Sequence, residues 1–173
     1  MTYDARVASA LTARKNYRMP LTQSGNRQCP LAAIPAESLF PGVYAAPAAK
    51  AGLLLYLGCW DEAHQVAQDL STSEGNFWHA IVHRQEPDAW NSNYWFQRVG
   101  KHAVFGSIQA DSLDILERYE SAGIRLPASW DPGAFVDLCE KARENPDSPL
   151  EKAAIELQHS EWLRLFEWCA GPK

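Results

Sequence analysis

The chain has 173 residues, of which 46% are hydrophobic and 21% charged, and its formal net charge is −5. That length suits one domain, spanning 1–173, that buries its core without disulfides or metals, and the composition excludes a largely disordered polymer. No Lys/Arg cluster of the kind that neutralises a run of phosphates occurs, which argues against a nucleic-acid partner. The longest strongly apolar stretch, residues 51–60, is far short of the roughly 20 residues that cross a bilayer, which argues against a membrane partner.

The chain begins without the basic start and apolar run of a secretory signal. Its four cysteines (Cys29, Cys59, Cys139 and Cys169) are dispersed with no CxxC pair, so free thiols in a reducing cytoplasm are expected. Val7, Ala8, Ala10 and Leu11 suggest a short first helix. Residues 18–47 carry Pro20, Gly25, Pro30, Pro35, Pro41, Gly42 and Pro47, and read as an irregular wrap with a helical turn near 36–40. A loop of that length can supply a lid or a wall to a pocket.

Beyond Pro47 the pattern is helical. Residues 48–57 form one apolar helix, and 61–70 an amphipathic one with Ala63, Val66, Ala67 and Leu70 on one side. The string Ser71-Thr72-Ser73-Glu74 offers a cap for a helix over 77–85, which Pro87 ends. Asp88 can cap a helix running to Val99 that Gly100 stops. Further helices are expected over 113–122, from Pro132 to about Arg143, and from near Leu150 to the end, with residues 103–105 as a short extended piece. The fold class is therefore all-α: a compact bundle of about seven helices arranged as hairpins, with a Pro/Gly-rich N-terminal wrap. Two hairpin turns about 30 residues apart, at 58–63 and 85–90, resemble the tetratricopeptide class, although the small residues of that consensus are mostly missing.

The chemistry concentrates in residues 77–102, which hold three of the five histidines, three of the seven tryptophans and two arginines. His79 and His83 fall about 40° apart on one helical face, and Glu86 lies nearly on the same line. Two histidines at i, i+4 can both reach one divalent metal, and a carboxylate can orient them. The metalloprotease pattern is absent, because no glutamate follows His79 directly. His102, just beyond Gly100, can complete a three-histidine set. Asn91 and Arg98 fall within the apolar arc of Tyr94, Trp95, Phe96 and Val99, so Arg98 either clasps a carboxylate such as Glu86 or Asp88, or binds an anionic ligand group. His64 stands one turn from Asp61, as an oriented base would. No nucleophile elbow, phosphate loop or dinucleotide fingerprint occurs.

The string Trp78-His79-Ala80-Ile81-Val82-His83-Arg84-Gln85-Glu86-Pro87-Asp88, followed by Asn91, Asn93-Tyr94-Trp95-Phe96 and Arg98-Val99-Gly100, resembles an uncharacterised family of hypothetical bacterial and fungal proteins. A stretch like Asp61-Glu62-Ala63-His64 precedes it there, and the likeness covers about residues 53–105. The resemblance implies that Asp61, His64, His79, His83, Glu86 and Arg98 group into one site, and it implies no activity.

The expected site is a His/Glu/Arg pocket walled by Trp78, Tyr94 and Trp95, with Asn91, His64 and Asp61 beside it. In it His79 or His83 acts as proton acceptor or metal ligand, Glu86 orients them, and Arg84 and Arg98 hold an anionic group. The expected function is binding of a small polar or anionic metabolite, with hydrolytic or lyase-type turnover. The alternatives are a helical-repeat scaffold that binds a protein partner without catalysis, and a structural protein whose polar block is an internal clasp.

Overall fold

The computed structural model describes residues 3–23, 25 and 27–172. Among them are nine α-helices: α1 (Ala5–Ala13), α2 (Ala36–Leu39), α3 (Ala46–Leu57), α4 (Trp60–Gln68), α5 (Ser73–Gln85), α6 (Ala89–Val99), α7 (Phe105–Arg118), α8 (Pro132–Arg143) and α9 (Pro149–Cys169). Short 3-10 turns occupy Pro30–Ala33 and Glu120–Ala122, and the described residues contain no strand, only an isolated bridge between Val43 and Pro172. The four-residue α2 is one of the short pieces that take the count past seven.

Helix starts follow side chains that accept the orphan N–H groups of a first turn. Thr72 accepts from the Gly75 N–H at 3.1 Å, Asp88 from Asn91 at 3.0 Å, and Ser148 from Glu151 at 3.1 Å. Asp131 accepts from both Gly133 and Ala134 ahead of Pro132, which needs no N–H partner in the first turn. Gly58 ends α3 in the left-handed conformation at φ +82°, which turns the chain directly into α4.

The hairpins α3/α4 and α5/α6 lie side by side, with α5 packed against α3, α4 and α6. α9 then packs on α3, α7 and α8, while α8 reaches α6, so the last helix closes a bundle over both hairpins. The core is a connected cluster of buried apolar side chains reaching from Val7 to Ala170. α5 runs through it: every residue from Glu74 to Gln85 is buried. At its crossing with α3, Trp78 lies so close to Gly52 that a Cβ there would stand 2.5 Å from the indole. The carbonyl of Gly52 also accepts from Trp162 Nε1 at 2.9 Å, tying α9 to the same point.

The irregular segment docks through its backbone carbonyls. Gln158 donates to Met19 and Pro20, Gln85 to Pro20, Arg143 to Leu21, and Lys50 to Ala32 and Ile34. It walls a small cavity of about 80 Å³ together with Trp60 and Gln85. The extended piece expected over residues 103–105 is not found. Residues 103–105 are a turn that enters α7 at Phe105, well before Leu113, because Ile108, Ser112 and Ile115 already present a buried face and α7 packs on α9.

Candidate functional site

α4 and α5 are antiparallel neighbours, and their facing sides bring three imidazoles together. His64 stands one turn into α4, its ring 5.2 Å from that of Trp60 at the helix start. His79 and His83, one turn apart on α5, stack with ring centres 4.8 Å apart. His64 Nε2 lies 2.9 Å from His79 Nε2, one nitrogen donating and the other accepting. One nitrogen from each of the three rings falls within 4.8 Å of the other two. His79 and His83 are buried and His64 half-buried.

Two contacts brace this trio. Trp95 of α6 stacks on His79 with centres 4.0 Å apart, and Glu86 Oε2 lies 3.0 Å from His83 Nδ1. A carboxylate on Nδ1 holds that nitrogen as the N–H and leaves Nε2 with its lone pair free. Burial, followed by the repulsion of His83 and His64, holds the His79 ring down at about 3, so it is neutral at physiological pH. Burial and His83 lower His64 as well, against the opposing pull of Glu86 and Asp61. The site thus offers nitrogen donors, with His79 and His64 both held toward the neutral form, which suits zinc, copper, nickel or iron better than magnesium or calcium.

No family model, no curated protein and no solved structure matches the chain.

The sequence-expected residues divide by helix face. His64, His79, His83 and Glu86 come together, with Trp95 as a wall and Asp61 exposed on the first turn of α4. His102 does not join them: its Nε2 lies 3.7 Å from Glu74, and its ring packs among Phe77, Phe105 and Trp168. Trp78 points away into the core against Gly52. Arg84 is fully buried, with its guanidinium paired to the equally buried Glu161 and 4.5 Å over the Phe135 ring. The carboxylate clasp considered for Arg98 is made by Arg84, which has no exposed side-chain surface.

Arg98 is exposed, lying 4.5 Å over the Tyr94 ring and 5.5 Å from the centre of Trp95, and it donates to the Tyr94 hydroxyl. Among the described residues no carboxylate pairs with it. Asn91 sits half-buried in the first turn of α6, where its N–H meets Asp88. Glu161 was not expected from sequence, yet a signal exists: it falls between Leu157 and Leu165 at four-residue steps, inside the apolar stripe of α9.

Proposed function

We propose that the chain binds a divalent transition metal through His64, His79 and His83, and that a small polar or anionic metabolite binds at the open position and is turned over by hydrolysis or a lyase reaction. The observation that carries this reading is the approach of three imidazole nitrogens from two helices. Two nitrogens each about 2.05 Å from one ion stand about 2.9 Å apart at a right angle and about 3.3 Å apart at the tetrahedral angle. The separation between His64 and His79 is 2.9 Å, so an ion needs only side-chain adjustment to replace their shared proton.

Three neutral ligands leave the full charge of the ion on its fourth partner, which is how zinc brings bound water to a pKa near 7. In this reading Glu86 fixes the His83 tautomer, Trp95 fixes the ring plane of His79, and Arg98, lying against the same indole, is the cation available to an anionic substrate. The setting we infer is the cytoplasm, because all four cysteines are free thiols.

A second reading, a scaffold for a protein partner, is favoured by the outer face of α6, where Trp90 is 77% exposed and stacks parallel to Tyr94 at 6.0 Å. Elemental analysis of protein purified without an affinity tag separates the two. The metal reading expects close to one equivalent in the wild type and in His102→Ala, and loss in His64→Ala and His79→Ala. Metal absent from the wild type, or retained equally in all variants, overturns it. The scaffold reading instead expects partner binding that survives His79→Ala and is lost in Trp90→Ala.

A further inference from the structure

We propose that Cys29 and Cys59 are a redox pair: a hydroperoxide converts them to a disulfide that fastens the irregular segment to the head of α4, and a dithiol reductant releases it. The two residues stand at matching places. Cys29 immediately precedes the 3-10 turn Pro30–Ala33, and Cys59 immediately precedes α4. Neither thiol caps the turn or helix that follows it, so a bridge between them takes no capping bond away.

The backbone brings the pair together. The Arg27 N–H donates to the Gly58 carbonyl at 3.0 Å, two residues before Cys29 and one before Cys59. Backbones joined by such a bond run about 5 Å apart, within the Cα separation that a disulfide spans. The Arg27 side chain also lies against Gly58, 3.5 Å from where a Cβ would stand. At this junction the two thiols are hydrogen-bonded to each other.

The two sulfurs differ in what reaches them. Cys29 is half-buried between the exposed Gln28 and Pro30, whereas Cys59 is 2% exposed. Burial, followed by the hydrogen bond with Cys29, pushes the Cys59 thiol up, so it keeps its proton. Lys50 donates to the Ala32 and Ile34 carbonyls at 2.7 Å each, and its ammonium is near enough to Cys29 for their charges to interact. Cys29 is therefore the sulfur that meets the oxidant. It attacks the peroxide, the O–O bond breaks, and the departing oxygen takes the Cys29 proton as water or an alcohol, leaving a sulfenic acid. Cys59 then attacks the Cys29 sulfur: the S–S bond forms, the S–O bond breaks, and the hydroxyl departs with the Cys59 proton as water. The two thiols lose two electrons and the peroxide gains them. Cys139 and Cys169 have no exposed surface and stay out of the reaction. Disulfides of the cytoplasm are mostly of this transient, redox-sensing kind.

Hydrogen peroxide is the probe, added to the full chain at neutral pH and followed by alkylation in denaturant, intact mass and peptide mapping. Alkylation is expected to fall from four thiols to two, with one Cys29–Cys59 cross-link inside each molecule, and dithiothreitol is expected to restore all four. In Cys59→Ala the reaction stops at the Cys29 sulfenic acid, which dimedone traps, and in Cys29→Ser no bridge forms. The bridge closes a loop of about 30 residues, so the oxidised protein is expected to melt several degrees above the reduced one. The proposal is overturned if all four thiols survive peroxide, if the cross-link joins other cysteines or two molecules, if dithiothreitol does not restore the thiols, or if the bridged protein melts no higher. Because neither cysteine belongs to the histidine trio, the result is independent of the metal reading.

Discussion

Removing Arg84 exposes the energetics of the deepest polar contact in the fold. Arg84 and Glu161 have no exposed side-chain surface, and Arg84 Nε and Nη1 and Glu161 Oε1 have no hydrogen-bond partner beyond the pair itself. In Arg84→Met the Glu161 carboxyl is left alone in an apolar interior and takes up a proton. Protonating a carboxyl of ordinary value near 4.5 at pH 7 costs about 3.4 kcal/mol, within the roughly 3–5 kcal/mol expected when one partner of a buried pair is deleted. For a chain of this size that is a fall in Tm of roughly 6–20 °C.

The variant also carries a pH signature. Its folded state binds one proton more than the unfolded state above pH 4.5, so the penalty shrinks as pH falls and drops to about 1 kcal/mol near pH 5. Urea denaturation of wild type and variant at pH 7 and pH 5 measures the difference directly. The double variant Arg84→Met/Glu161→Leu is expected to recover most of the loss, since paired replacement of buried ions by apolar groups is often neutral. A penalty that is equal at both pH values, or a double variant no better than the single, would show that an uncompensated Glu161 charge is not what destabilises the variant.

Three other outcomes are expected. Metal-free protein loses stability in acid: His79 is held at about 3 when folded against 6.5 unfolded, so the unfolded state binds more protons between those values and stability rises with pH across that window. The loss between pH 7 and pH 5 from this residue is about 2 kcal/mol, read as a urea-midpoint shift that is smaller in His79→Phe. Gly52→Ala places a methyl 2.5–2.9 Å from the Trp78 ring and is expected to cost about 1–3 kcal/mol by calorimetry, despite the better helix propensity of alanine. Arg98→Ala, at an exposed position without an ion pair, is expected to move Tm by no more than a degree or two, which thermal denaturation checks against Arg84→Met.

The helices were legible because caps and breakers are local. Thr72, Asp88, Asp131 and Ser148 act within three residues of themselves, and the i, i+4 spacing of His79 and His83 needs nothing beyond α5. What could not be read is how α5 is rotated against its neighbours. His64 and His102 are comparably near His79 in the chain, and only the packing of α4 on α5 puts His64 beside it. Arg84 follows His83 directly but lies about 100° further round, on the face of Phe77, Ala80 and Ile81, where it meets a carboxylate 77 residues away. A charged residue type suggests exposure, and its place in an apolar stripe suggests burial; for Arg84 and Glu161 the stripe prevails. The start of α7 is not legible at residue 105 because Val104 there supplies no side-chain cap, and the buried face of Ile108 and Ser112 is set by packing on α9.

A metal held by three histidines is detected by titrating chelator-treated protein with cobalt(II) and following its visible absorption. The expected d–d bands grow to saturation at one equivalent, are displaced by zinc, and are absent from His64→Ala and His79→Ala while His102→Ala behaves as wild type. Bands that never saturate, or that persist unchanged in His64→Ala and His79→Ala, would rule out a three-histidine metal site.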